Sequence, residues 1–407
     1  MEAGPTVIDS AAYLSLHTSP LLQPGQGNAG GMNVYIDELA ATMAARGISV
    51  VVYTRRHDPD LPNEFEAPRG YRVVHIEAGP PHEIPVAKLG RYVHKFAMGV
   101  IAHITAGAIP PQVVHSHYWL SGWAGLAVKR QLGIPLANSF HTLGRVKNLA
   151  KRTGEPPESL LRIAAEHEVI HGSDCLIAST PLEAEDLLAH YGADPSQICT
   201  SPPGVDHTVF APGDRDLARA RLGWTGGPLL LYVGRIQPLK GVDVAVEAFR
   251  IVHGKVPSAR FVVVGGASGE GGLAEVSKLR ALAADLPVEF LAPVPHVQLA
   301  DYYRAADCLI LPSRTESFGL VAAEAAACGL PVVAARVGGL EYIVIDGQTG
   351  FLVDGWDPIG YAEPLVRLLE DPTLASEIGE KAVGESERFS WAATADRFLE
   401  LYHGILG

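Results

Sequence analysis

Cations are in short supply along this chain of 407 residues. Its 32 Lys and Arg stand against 45 Asp and Glu, a formal net charge of −13, and no basic block occurs. Nucleic acid is therefore not an expected partner. An acidic protein that binds an anion has to do so with a few well-placed cations. Cysteine is scarce too. Cys175, Cys199, Cys308 and Cys328 lie far apart with no C-x-x-C pair, which suits reduced thiols better than a disulfide frame or a zinc site. No apolar run reaches about 18 residues, and the N-terminus lacks a basic region followed by a hydrophobic core. No membrane partner is expected, and a cytoplasmic location is. Charged residues make up only 19% against 47% hydrophobic, the balance of a folded chain rather than a disordered one.

What is present is alternation. A chain this long exceeds one ordinary core, so two domains of roughly 200 residues each are expected. Short β-branched runs at 11–16, 48–53, 71–76, 113–116, 135–140, 174–179 and 198–200 are strand candidates. Between them, 32–46, 89–106, 121–132, 160–171 and 181–191 have helical period. The pattern stops near Pro202-Pro203-Gly204, and a polar stretch follows at 206–227. Alternation then restarts with strands at 229–233, 260–264, 288–291, 308–311 and 331–335. This reads as α/β: two Rossmann-like, doubly wound parallel-sheet domains, 1–204 and 205–385, facing each other across a cleft. A last helix near 391–406, within a segment 386–407, is long enough to pack back across the junction. Ligands of such sheets sit at the carboxyl ends of the strands.

The stretch PGQGNAGGMN at 24–33 contains G-x-G-x-x-G, formally a dinucleotide fingerprint. A fingerprint follows its strand at once, whereas here 17–23 intervene. The second strand ends in Arg55 and Arg56 rather than an acidic residue, which would leave only an NADP reading. Gly30 and Gly31 nevertheless lead straight into a helix whose free N–H groups can meet an anion. A phosphate-contacting loop and a mobile surface loop are the two readings. In the second half, Gly234 and Arg235 with Lys240 lie just past a strand end. They look like a diphosphate clamp, a bidentate fork plus a point charge, although solvated loop charges have the same spacing. Further on, Glu316 and Glu324 are eight apart, around Ser317, Phe318, Gly319 and Leu320. With a helix from Phe318 onward, Glu324 lies within it, where a carboxylate among alanines needs a hydroxyl or a cation as partner. A ribose diol would serve.

These residues carry a resemblance that runs over nearly the whole chain. The E-S-F-G-x-x-x-x-E pair, the G-R-x-x-x-x-K-G loop and the N-terminal G-G-M resemble the retaining GT-B glycosyltransferases of family 4. Within them the chain is similar to the D-inositol 3-phosphate N-acetylglucosaminyltransferases of mycothiol biosynthesis. The supporting stretches are HTSP at 17–20, GGMNVY at 30–35, HSHYWLSG at 115–122, HTL at 141–143, VKN at 146–148, YRAAD at 303–307, ESFGLV at 316–321, ARVGG at 335–339 and FSWAAT at 389–394.

The resemblance implies a nucleotide diphosphate sugar as co-substrate and no required cofactor or metal. It places Gly31, with Gly30 beside it, against the donor diphosphate, and Arg235 and Lys240 across from it. Glu324 would hold the ribose. Glu316 and the backbone of 317–320 would hold hydroxyls of the transferred sugar, and His141 its 6-hydroxyl. His17, Asn33, Tyr118, Thr142 and Arg162 fall to the acceptor, inositol 3-phosphate, with UDP-GlcNAc as favoured donor. Two positions depart from the family: Val86 stands where a phosphate-binding lysine is expected, and Val294 where an arginine sits near the nucleobase. Those departures keep open a relative in specialised metabolism, acting on a GDP-octose and ergothioneine or on an aminocyclitol. A non-catalytic nucleotide-sugar binder is the reading from another class. Asp58-Pro-Asp60 imitates a metal motif in a Pro-rich loop. His115, His117 and the Tyr118–Trp119 pair could line the cleft or fill the core. A homodimer is left open.

Overall fold

The structure is a computed structural model, and it describes residues 8–25, 27, 29–152, 154–269 and 271–406. Two of the residues in the first glycine loop, 26 and 28, lie outside this range.

The first sheet has eight strands: β1 (Ser10–Ser15), β2 (Ser49–Arg55), β3 (Glu64–Glu66), β4 (Arg72–Ile76), β5 (Val113–His117), β6 (Leu136–Ser139), β7 (Cys175–Ala178) and β8 (Ile198–Thr200). Their spatial order is β3-β4-β2-β1-β5-β6-β7-β8. The second sheet holds β9 (Leu229–Val233), β10 (Arg260–Val264), β11 (Val288–Leu291), β12 (Cys308–Leu311), β13 (Val332–Ala335) and β14 (Gly350–Val353), in the order β11-β10-β9-β12-β13-β14. All ladders are parallel except the edge pair β3–β4. The strand order reverses between β1 and β5 in one sheet and between β9 and β12 in the other. Such a reversal opens a crevice at the carboxyl ends.

Burial follows from composition. Each residue of β1 and each residue of β9 is buried, as strands covered by helices on both faces require. The final helix, Trp391–Leu406, packs Trp391, Phe398 and Tyr402 into the first half's core beside Tyr13, Tyr35 and Ile36. Its start is stitched to the crossover segment. Thr394 Oγ1 donates to the Pro202 carbonyl at 2.9 Å and the Val205 N–H to the Phe389 carbonyl at 3.1 Å.

Several elements differ from the sequence expectations. The antiparallel β3 and the sixth strand β14 are short, and neither carries a β-branched run. The polar stretch 206–227 contains a helix, Arg215–Leu222, capped by Asp214 and tied by Arg215 and Arg219 to Asp307. The expected helix 89–106 is a 3₁₀ segment, Val86–Tyr92, followed by an α-helix, Val93–Ala106. The helix carrying Glu324 begins at Leu320 rather than Phe318, because Gly319 sits at φ 99° and breaks the entry to the turn. Among the described residues no helix is long and apolar enough to cross a membrane.

Candidate functional site

The two crevices face each other and enclose a cleft of about 380 Å³. Its wall is built from residues just past strand ends: His17 after β1, Tyr118 after β5, His141 and Thr142 after β6, Gly234 and Arg235 after β9, and Ser313 with 315–321 after β12. Two of these, Tyr118 at φ 75° and His141 at φ 59°, are the non-glycine residues with positive φ among the described residues. Strained backbone of this kind concentrates at functional sites.

The cations behave as a pair of unlike members. Lys240, in the turn Pro238–Lys240, forms an ion pair with Glu316. Arg235 forms no ion pair among the described residues, and burial pulls its pKa below the usual arginine range, with Glu316 nearby opposing. A half-buried guanidinium that no ion pair neutralises gains from the arrival of an anion. Gly30 is what lets it lie there: a Cβ on Gly30 would stand 3.1 Å from Arg235 Nε. The glycine loop is also fastened to the opposite domain. Gln23 Nε2 donates to the Pro293 carbonyl and Ser268 Oγ to the Gly27 carbonyl, each at 3.0 Å.

Glu324 has its partners within the chain. His296 Nε2 lies 2.6 Å from Oε1, and the Tyr303 hydroxyl donates to Oε2 at 2.9 Å. Burial lowers the pKa of His296, but the carboxylate outweighs it and the net shift is upward. His296 was not foreseen from sequence. The YRAAD stretch containing Tyr303 was noted as a motif, yet its hydroxyl was given no role.

The histidines form a second constellation. His141 Nε2 is 3.0 Å from His117 Nδ1, and the His141 carbonyl accepts from the Ser317 hydroxyl across the cleft. Burial drives His141 and His17 down to about 3, and His115 and His117 well below 6.5, so all four are neutral at physiological pH. His115 has both ring nitrogens engaged, with Tyr402 at 2.8 Å and Ser139 at 2.9 Å, and belongs to the core. Trp119 is buried, while Tyr118 lines the cleft.

Fifteen of the seventeen expected site residues thus line one cleft: His17, Gly30, Gly31, Tyr118, His141, Thr142, Gly234, Arg235, Lys240, Glu316, Ser317, Phe318, Gly319, Leu320 and Glu324. Two do not. Asn33 is a loop brace: its carboxamide accepts from Gly30 N–H at 2.9 Å and donates to Thr18 Oγ1 and the Ser19 carbonyl. Arg162 stands behind the wall, 2% exposed, its guanidinium 5.1 Å from the Tyr118 ring centroid. It donates to Glu166 Oε1 at 2.7 Å and to the Thr142 carbonyl and hydroxyl at 3.0 and 3.1 Å. Val86 and Val294 both line the cleft, as does Lys147.

The second-strand arginines and the Asp58-Pro-Asp60 stretch are occupied by local contacts. Arg55 donates to the carbonyls of Arg56, Pro80 and His82, and Arg56 to Leu61 and Asn63. Neither is free for a 2′-phosphate. The Asp58 carboxylate accepts the Asp60 N–H at 2.9 Å, an ordinary turn contact.

With this geometry in hand, comparison with known proteins is direct. A family model described as "Glycosyl transferase 4-like domain" matches residues 30–204, and one described as "Glycosyl transferases group 1" matches 214–384. The chain is 46% identical to D-inositol 3-phosphate glycosyltransferase 2 of Catenulispora acidiphila, covering 96% of this chain and 94% of that one. It is 44% identical to the D-inositol 3-phosphate glycosyltransferase of Thermomonospora curvata, covering 97% and 95%. Among solved structures, sucrose-phosphate synthase from Thermosynechococcus elongatus superposes with a TM-score of 0.90 at 32% identity, covering 97% and 98%. Anabaena HepE in complex with UDP-glucose superposes with a TM-score of 0.76 at 18% identity, covering 96% and 98%. At that identity the likeness speaks for the fold alone.

Proposed function

Since this chain belongs to the family 4, group 1 glycosyltransferases of GT-B fold, we propose that it transfers N-acetylglucosamine from UDP-GlcNAc to inositol 3-phosphate with retention at the anomeric carbon. The observation that carries this reading is the half-buried Arg235, without an ion pair among the described residues, beside Lys240 and facing the glycine loop across the cleft.

In the proposed reaction the bond from the sugar C1 to the β-phosphate oxygen breaks, and negative charge grows on the departing diphosphate. Arg235 and Lys240 are fixed where that charge appears, and Gly31 lets the loop approach it. Preorganised cations of this kind stabilise a developing charge without reorganising. Glu324 turns from Tyr303 and His296 to the ribose hydroxyls. Glu316, its carboxylate already oriented by Lys240, and the backbone of 317–320 take hydroxyls of the transferred sugar, and the neutral His141 takes the 6-hydroxyl. The acceptor hydroxyl attacks C1 on the face the diphosphate leaves, and its proton passes to the leaving phosphate oxygen. His17, Tyr118 and Thr142 line the acceptor side, with Arg162 behind them and Asn33 bracing the loop.

A second reading rests on Val86 and Val294, apolar surfaces on the acceptor and nucleobase sides. They suit a GDP-sugar donor and an unphosphorylated acceptor such as ergothioneine or an aminocyclitol. Incubation with UDP-GlcNAc and inositol 3-phosphate, and separately with a GDP-sugar and ergothioneine, decides between them by product mass. Product in the second mixture alone overturns the first reading.

A further inference from the structure

Two of the four cysteines meet, and the cleft uses neither. β7 and β8 run parallel with Ile177 opposite Cys199, so Cys175, two residues before Ile177, is the diagonal neighbour of Cys199 on the same face. That face packs on the final helix: Cys175 belongs to the cluster of Trp391, Ala395, Phe398, Leu401 and Tyr402, and Cys199 lies against it. The two thiols hydrogen-bond to each other. They differ in access. Cys175 is buried, as are Cys308 and Cys328, whereas Cys199 is partly exposed. It sits on β8, the last strand in the order of its sheet, whose outer edge no described strand covers. They differ in charge as well. The hydrogen bond from Cys175 lowers the pKa of the Cys199 thiol, burial opposes, and the Arg397 guanidinium adds to the lowering. The same hydrogen bond raises Cys175, helped by burial and by Asp174, with Arg397 opposing. Burial holds the Tyr402 hydroxyl neutral beside them and pushes Cys308 and Cys328 up. Cys199 is therefore the thiol that ionises first, and the thiolate is the nucleophile.

We propose that Cys199 is a modification site for a low-molecular-weight disulfide, with Cys175 as its hydrogen-bond donor, and that the adduct loosens the seat of the final helix. Cys199 first gives its proton to water, and its thiolate attacks one sulfur of RS–SR. A bond from Cys199 Sγ to that sulfur forms and the S–S bond breaks. RS⁻ leaves with the electron pair and takes a proton from water. Cys199 is oxidised and the departing thiol is reduced, so the disulfide is the oxidant. Cys175 is not placed to close an internal bridge. Diagonal neighbours on paired strands stand roughly 7–8 Å apart at Cα, and bridged cysteines about 4.4–6.8 Å. The adduct grows where β8 meets the final helix, and a close-packed seat accepts no added group without shifting. That helix is stitched at its start to the crossover between the domains, so a change at the edge of the first sheet reaches the joint of both. The inference goes beyond the transfer reaction and does not depend on its substrates.

The test treats the full chain with glutathione disulfide and follows it by intact mass and peptide mapping. One adduct is expected, at Cys199, reversed by dithiothreitol and absent from Cys199→Ser. Its rate of formation should rise with pH through an inflection below the roughly 8.5 of a free thiol. In Cys175→Ala, checked for native circular dichroism, that inflection should move up. The thermal midpoint of the adduct should fall, while Cys199→Ser given the same treatment keeps its own. No adduct, or adducts at Cys308 or Cys328 ahead of Cys199, overturns the site. An inflection unmoved in Cys175→Ala removes the donor role. Should that variant not fold, an inflection at or above 8.5 in the unaltered chain does the same. Loss of two hydrogens without an adduct reveals an internal disulfide and overturns the division of roles. Full occupancy at Cys199 with an unchanged midpoint overturns the effect on the helix.

Discussion

At the scale of single residues, the cleft is organised by how each charge is or is not neutralised. Lys240 is paired with Glu316, Glu324 is held between His296 and Tyr303, and Arg235 alone waits for an anion. The clamp assignment makes a direct prediction. Removing one preorganised donor from a developing charge lowers turnover by roughly 10²- to 10³-fold, so Arg235→Ala and Lys240→Ala should each lose at least that in kcat while circular dichroism stays that of the unaltered protein. Near-normal turnover in either variant removes the residue from the clamp. These cations were legible in the sequence because a scarcity of positive charge makes each strand-end Arg or Lys conspicuous. Lys147 was legible only as part of a motif. It pairs with Glu158, eleven residues away across a loop, and pairing at that distance has no periodic signature. Asn33 went the other way. A polar residue beside two glycines looks like a ligand group, but the turn it follows leaves the Gly30 N–H and the Ser19 carbonyl to be satisfied, and Asn33 satisfies both.

At the scale of elements, strand ends decide the chemistry: β5 ends in His117, and His17 and His141 follow two residues after β1 and β6. Packing them there has a consequence for stability against pH. His17 and His141 have folded pKa values near 3 against 6.5 when exposed, because burial disfavours the charged ring, and His115 and His117 shift in the same direction. Between these values the unfolded chain binds more protons, so their contribution is present above pH 6.5 and lost progressively as pH falls, by at most about 1.4 kcal/mol per unit for each ring. Three groups oppose this, one of them Asp186, which burial raises from the ordinary aspartate range. Burial raises Glu183 to about 7, and its contribution fades as pH rises from 4.5 to 7. His296, raised by Glu324, stabilises at low pH and stops doing so as pH passes its folded pKa. Five lowered histidines, His75 among them, against three leave a net fall, so the thermal midpoint should drop between pH 7 and pH 5.5. A midpoint that rises on acidification contradicts the buried-neutral assignment. Strand and helix positions at this scale followed from period, since β-branched runs between Ala-rich helices are hard to mistake. The short β3, β14 and the helix Gly144–Ala150 escaped because three to seven residues cannot establish a period.

At the scale of the molecule, the residues lining the cleft come from the ends of two sheets, so the shape of the cleft depends on how those sheets approach. Among the described residues four side chains bridge the cleft: Ser317 to the His141 carbonyl, Arg152 to Asp243 and the Pro238 carbonyl, Gln23 to the Pro293 carbonyl and Ser268 to the Gly27 carbonyl. Three of them make a single hydrogen bond, while Arg152 combines a part-exposed ion pair with a hydrogen bond, and such contacts are worth on the order of 0.5–1.5 kcal/mol apiece. A nucleotide diphosphate that touches both sides adds to them, while an empty cleft has only these to resist opening. The pivot is equally specific. A Cβ on Gly204 would lie 2.1 Å from the Trp391 backbone nitrogen, so the crossover and the start of the final helix are in contact without room for a side chain. Closure therefore turns about a tight joint at 202–205 and 389–394. Saturating UDP should reduce the radius of gyration measured by small-angle scattering, and Arg152→Ala should enlarge the unliganded molecule and so widen that change, since it loosens a bridge that no substrate replaces. Gly204→Val should push the final helix from its seat and blunt the response to UDP even where UDP still binds. Scattering curves that superpose with and without saturating UDP would mean the cleft is held in one state, and the joint would then be a structural seam rather than a hinge.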